Sequence, residues 1–276
     1  MIQNYINNSG MAFKDGIWRT EDSDTASFSR EVHDLLFEIE DNSFWFKHRN
    51  RCIAELVKRI PPNGTIFDVG GGNGFVTKGL HDAGFDVALV EPGAGGAFNA
   101  RKRGGFEIIC APFSREFFKP NSAPAVALFD VIEHIEDDAD FLKEVHGLMH
   151  PGGYLYLTVP AYMRLWSQED DSAGHFRRYT RKSLRKLLQS CGFETLFDSC
   201  FFAYLPLPIF LMRTLPYKMG HRRKDPTEKA KRELTSARGG ILPLVLGKLS
   251  DFEVNRLAKG GRFPFGGSVL MAAQKR

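Results

Sequence analysis

The chain has 276 residues, 43% apolar and 25% charged, with a net charge of +4. Such proportions are ordinary for a globular α/β domain with room for a cap and an insertion. No uninterrupted apolar run reaches the roughly 18–20 residues of a spanning helix.

Cys52, Cys110, Cys191 and Cys200 show no C-x-x-C spacing and have no histidine-rich companion. They read as reduced, buried thiols of a cytoplasmic protein. The opening MIQNYINNSGMAFKDG lacks the basic and apolar regions of a signal peptide.

Residues 1–25 are polar and read as a loose arm; with the helical pattern from Phe28 to Ile60 they form a unit over 1–60. Leu35, Leu36 and Ile39, then Ile53, Leu56, Val57 and Ile60, recur at helical spacing, and Pro61-Pro62-Asn63-Gly64 ends the second helix. Over 61–200, strand-like segments at Ile66–Val69, Val87–Val90, Glu107–Cys110, Val126–Phe129 and Tyr154–Val159 alternate with helical stretches such as Phe75–Ala83 and Asp138–Met149. That alternation predicts a Rossmann-like, mostly parallel sheet with helices on both faces. His150-Pro151-Gly152-Gly153 reads as the turn before the fifth strand. RKSLRKLLQSCGF predicts a helix with Leu184, Leu187 and Leu188 inward, and Phe193–Phe202 a sixth strand. An apolar and basic insertion covers 201–265, and 266–276 supplies a last strand.

In TIFDVGGGNGF, four glycines directly follow a strand that carries Asp68. G-x-G-x-x-G fails because residue 75 is Phe, and the phosphate loop G-x-x-x-x-G-K-[ST] fails because Lys78 follows Thr77 and precedes Gly79. What remains is D-x-G-x-G-x-G over Asp68, Gly70, Gly72 and Gly74. Glu91 ends the next strand, seventeen residues after Gly74, where a carboxylate can accept both ribose hydroxyls. Asp68 is placed to accept from an ammonium group. A ribose and an ammonium with no required phosphate describe S-adenosylmethionine.

The chain resembles the class I S-adenosylmethionine-dependent methyltransferases over about residues 60–200. IFDVGGGNG, LVEP, LFDVIEHIED and HPGGYLYLTVP are similar to that family's motifs, in order. The resemblance implies a seven-stranded sheet with the last strand antiparallel, here SVLMAAQ, and S-adenosylhomocysteine as product. It places Asp68, Gly70, Gly72 and Gly74 at the methionine end of the cofactor and Glu91-Pro92 at the ribose. Ala111-Pro112-Phe113 would flank the adenine, where the family commonly has an acid.

It also puts Asp130 near the reactive methyl, with His134 as a candidate base. The segment Trp166 to Tyr179, WSQEDDSAGHFRRY, resembles one branch of the family. His175 is the preferred general base, with Arg178, Tyr179 and Trp166 positioning an acceptor. No metal is assigned. Some relatives bind a divalent ion at E-x-x-E-H; Asp130, Glu133, His134 and a remote His175 would be the equivalent, but the first position here is one carbon shorter. Asn42 to Asn50, NSFWFKHRN, suits a cap whose rings serve mainly in packing.

Residues 201–217 are apolar but broken by Pro206, Pro208 and Pro216; a basic run from Lys218 to Arg232 and ILPLVLGKL follow. This predicts a helical lid burying its apolar face on the sheet, with peripheral membrane contact through 201–249 as a compatible extra. Nucleic acid is not expected, because the cations lack interleaved aromatics. The expected function is O-methylation of a small, sugar-like or lipid-linked acceptor. The alternative is a non-catalytic cofactor-binding partner or regulatory module.

Overall fold

The computed structural model describes residues 2–7, 10–20, 30–222 and 241–276. A hairpin of β1 (Ala12–Lys14) and β2 (Ile17–Arg19) precedes helices α1 (Arg30–Glu40) and α2 (Phe44–Arg59). Then come β3 (Ile66–Val69), α3 (Phe75–Asp82), β4 (Val87–Val90), α4 (Ala94–Arg103), β5 (Glu107–Cys110) and β6 (Ala123–Phe129). The core continues through α5 (Asp138–Leu148), β7 (Met149–Pro160), α6 (Gln168–Ala173), α7 (Arg181–Ser190) and β8 (Phe193–Phe201). Short helices α8 (Pro206–Ile209) and α9 (Leu215–Lys218) flank a π-helical turn, Phe210–Thr214; α10 (Ile241–Ala258) and β9 (Ser268–Lys275) close the chain.

The sheet order is β1-β2-β5-β4-β3-β6-β7-β9-β8. Strands β3 to β9 form the expected seven, with β9 antiparallel to both neighbours. The count is nine rather than seven because the N-terminal arm is not loose over its described residues: β2 runs parallel to β5, pairing Trp18 with Ile109. Asp15 and Gly16 take φ of 54° and 79°, which matches the twist of a two-residue hairpin turn.

Alternation along the strands sorts the core into two faces. Phe67 and Val69 of β3 pack with Leu142 of α5 and Leu184 of α7, whereas Ile66 packs with Ile53 of α2 and Leu80 of α3. The HPGG segment is a bulge inside β7 rather than a turn before it. Ala123 pairs with Met149 and Ala125 with Tyr154, so the extra residues loop out. A Cβ on Gly153 would stand 2.8 Å from Pro124 O, so only glycine fits there.

The expected lid is corrected in one respect. Helices do form over 206–218 and 241–258, but much of their apolar surface faces outward: Leu207 is 66% and Leu244 63% exposed. Pro216 has no N–H to give the preceding turn, and the π-helical turn directly before it absorbs that loss. The basic positions Arg223, Lys224, Lys229, Lys231 and Arg232 lie outside the described residues.

Candidate functional site

Chain order reverses direction across β3, whose neighbours are β4 and β6, and open α/β sheets bind ligands outside the strand ends at such a point. The loop after β3 lies there. Gly70, Gly72 and Gly74 have φ of 69°, 55° and 73°, which disfavour any side chain. Their surroundings differ. A Cβ on Gly74 would stand 2.9 Å from Ala100 Cβ, so Gly74 serves helix packing, while one on Gly72 would meet nothing within 4 Å. The sequence reading did not single out Gly71, where a Cβ would collide with Leu89 and the Asp68 carboxylate.

Asp68 is buried and its Oδ2 accepts from Thr77 Oγ1 at 2.6 Å. Burial raises its carboxyl to about 6 against that hydrogen bond. Its Oδ1 has no protein partner, so an acceptor remains for a ligand's ammonium. Glu91 Oε2 accepts from Gly72 N at 2.9 Å and Oε1 from Gly93 N at 2.8 Å. Burial nevertheless raises its pKa. Each oxygen keeps a second lone pair, as ribose hydroxyls would require. The open space at Gly72, the orphaned Asp68 oxygen and the braced Glu91 carboxylate all fit S-adenosylmethionine.

Helix α1 lies across this loop. Asn73 Nδ2 donates to His33 O at 2.9 Å, and Arg103 Nε donates to Asn73 O at 2.9 Å while Arg103 pairs with Glu40 at 2.8 Å. Pro92, half-buried, follows Glu91 directly. Phe113 packs its ring 4.5 Å from that of Phe118, within the core, so the expected adenine wall is here a core aromatic only 5% exposed.

At the end of β6, Asp130 adopts φ of 58°, a strained conformation for a residue with a side chain. It is held because its N–H donates to Thr158 O at 2.9 Å and its Oδ2 lies 2.7 Å from Arg49 Nε. Arg49 also donates to Phe129 O at 2.9 Å. Thus α2, read from sequence only as a cap, pairs the expected catalytic carboxylate with a guanidinium.

His175 Nδ1 lies 2.9 Å from Asp170 Oδ1. The same carboxylate accepts from Arg178 Nε at 2.7 Å and NH2 at 2.8 Å, and from Ser167 N at 2.9 Å. Burial alone would raise the Asp170 carboxyl, but the hydrogen bonds from His175 and Arg178 outweigh it and hold it at about 2. The rings of His134 and His175 meet edge-on at 4.7 Å. Burial first, then His175, lower the His134 pKa to about 4, so His134 is neutral near pH 7.

The three residues expected to bind the acceptor each have a protein partner. Arg178 is spent on Asp170 and on Ala161 O at 3.2 Å, so it braces the histidine's partner. Tyr179 is buried and donates to Asp138 Oδ2 at 2.6 Å; burial and that carboxylate push its phenol above the ordinary range. Trp166 Nε1 donates to Asp171 Oδ1 at 2.9 Å. Asp170, the residue the sequence reading missed, sits five positions before His175 at the third position of α6, where the capping box with Ser167 fixes it.

Glu133 is fully buried with neither carboxylate oxygen hydrogen-bonded. Burial, then the Asp130 charge, push its pKa well above the usual range. Ligand atoms of Glu133, His134 and His175 lie within 4.8 Å of one another, a spacing that suits a cation, while Asp130 is drawn away to Arg49.

A family described as "Methyltransferase domain" matches residues 44–196. A Mycolicibacterium smegmatis protein described as a probable S-adenosylmethionine-dependent methyltransferase is 24% identical over 159 residues, spanning 56% of this chain and 62% of that protein. Haemonchus contortus phosphoethanolamine N-methyltransferase 2, solved with S-adenosyl-L-methionine, superposes with a TM-score of 0.54 at 17% identity, covering 91% of this chain and 58% of that one. The [4+2]-cyclase SpnF superposes with a TM-score of 0.52 at 17% identity, covering 91% and 97%. These structural likenesses show the fold, and the matched domain together with the glycine loop and Glu91 shows the rest: this chain belongs to the class I S-adenosylmethionine-dependent methyltransferases and uses their cofactor.

Proposed function

We propose that this methyltransferase acts on an oxygen of a small, sugar-like or lipid-linked acceptor, with His175 as the proton acceptor. The observation that carries this is the 2.9 Å contact of His175 Nδ1 with the Asp170 carboxylate. An acceptor-only partner at Nδ1 selects the tautomer with the proton there, which leaves Nε2 as the basic nitrogen. Arg178 fixes the carboxylate with a bidentate pair, so the histidine ring is oriented before an acceptor arrives.

When bound, S-adenosylmethionine supplies an electrophilic methyl group on a sulfonium. The glycine loop and Glu91 hold it at the end of β3. His175 Nε2 would take the proton of the acceptor hydroxyl and Asp170 would stabilise the resulting imidazolium, the cofactor losing its methyl at sulfur and leaving as S-adenosylhomocysteine. Neutral His134, edge-on to His175, adds no competing charge. Structural neighbours are named for nitrogen and cyclase chemistry, so the preference for oxygen rests on this pair of residues. The second reading is a non-catalytic cofactor-binding partner or regulatory module with this fold.

The deciding experiment incubates the protein with methyl-labelled cofactor and a cell extract, then partitions the product between water and organic solvent. Label in either phase that is lost in His175→Ala supports the reading. Cofactor binding without transfer to any acceptor supports the module instead.

A further inference from the structure

Helix α8, the π-helical turn and α9 run as one segment that is inside out. Thr214 is fully buried and donates to Leu165 O at 2.9 Å, and Tyr217 OH donates to Asp171 Oδ2 at 2.7 Å. Arg213 lies 3.7 Å from Glu169. Polar side chains therefore face the protein, while Leu207, Leu211 and Leu215, one turn apart, are 66%, 51% and 39% exposed. Helices that face only water show the opposite arrangement.

The stretch of α10 from Leu244 to Glu253 repeats it. Ser250 and Glu253 are buried against Tyr204, Phe202 and Ala203, while Leu244, Leu249 and Phe252 face outward. Of fifteen large hydrophobics exposed among the described residues, eight belong to these two segments, so the exposure is concentrated rather than scattered.

Charge identifies the occupant. From Arg213 to Arg238 the sequence carries nine Lys and Arg against three acids, a net of +6 that exceeds the +4 of the whole chain. Between Arg223 and Gly240 the sequence has one large apolar side chain, Leu234, too little to cover eight. A second copy would bring like charge against like. Among the described residues no helix is long and apolar enough to cross a membrane.

We propose that the two outward apolar faces dock this enzyme on an anionic lipid surface, lying in the interface with Lys218 and Arg222 towards the headgroups. Docking deepens the lipid-linked reading of the acceptor, although it does not require turnover. Arg213, Thr214 and Tyr217 contact Glu169, Leu165 and Asp171, beside the Asp170 that orients His175, so the docked face adjoins the catalytic segment.

The test is flotation of the full chain with phosphatidylcholine vesicles, with and without phosphatidylglycerol, alongside light scattering. The expected result is binding at least about tenfold stronger to the anionic vesicles, weakened by salt. Leu211→Glu with Leu215→Glu should lower that binding about tenfold or more while cofactor binding, measured by calorimetry, stays intact. Lys218→Glu with Arg222→Glu should act in the same direction. Equal or absent binding to both vesicle types overturns the proposal. So does vesicle binding untouched by the leucine pair, or a dimer that the same pair dissolves.

Discussion

Asp170 serves His175 and Arg178 with one carboxylate, taking the imidazole at 2.9 Å and the guanidinium at 2.7 Å on the same Oδ1. A charged brace thus stands behind the histidine, and replacing each member should give a distinct phenotype.

His175→Ala should lower kcat by about 10²- to 10⁴-fold, the range for losing a positioned general base. Cofactor affinity should stay the same, because the glycine loop and Glu91 do not contact this residue's brace. Calorimetry and single-turnover assays check both halves. Unchanged turnover removes His175 from the chemistry.

Asp170→Asn should destabilise the fold by about 3–5 kcal/mol, since it leaves the nearly buried Arg178 without its anion. The acid limb supplies a second readout. The wild-type carboxyl is held at about 2 against an ordinary value of 3.8, so its stabilisation is complete above the unfolded value. It is lost as pH falls from about 4 towards 2, and that shift amounts to about 2 kcal/mol. Urea melts across this window should show the loss in wild type and a flatter dependence in Asp170→Asn.

Gly71 and Gly72 should separate packing from binding. A side chain at Gly71 runs into Leu89 and Asp68, so Gly71→Ala should lower the melting temperature. One at Gly72 meets no protein atom, so Gly72→Leu should cost only the strain of its positive φ, about 1–3 kcal/mol, while abolishing cofactor binding. Normal cofactor affinity in Gly72→Leu would falsify the loop assignment.

Dialysis against a chelator should leave turnover unchanged. His175 already spends Nδ1 on Asp170, and Glu133 is driven towards its protonated form. Turnover that vanishes and returns with a divalent ion would assign Glu133, His134 and His175 as ligands.

The motifs from Ile66 to Pro160 were legible because their demands are local. A strand followed by glycines at positive φ, or an acid at a strand tip, is written within a few residues. The N-terminal hairpin carried a local signal as well, Asp15-Gly16 between Phe13 and Trp18, which the polar composition around it obscured. Asp170 was equally visible as the third residue after a capping serine, although its service to His175 was not.

By itself the sequence determined the alternation of strand and helix, the cofactor loop and the class of chemistry, because periodicity and backbone conformation are properties of short segments. The tertiary structure alone decided that Arg49 pairs with Asp130, that Arg178 pairs with Asp170, and that the leucines of 206–218 face outward. A guanidinium chooses its carboxylate, and an amphipathic helix its buried face, only through what packs beside it, and those neighbours come from distant parts of the chain.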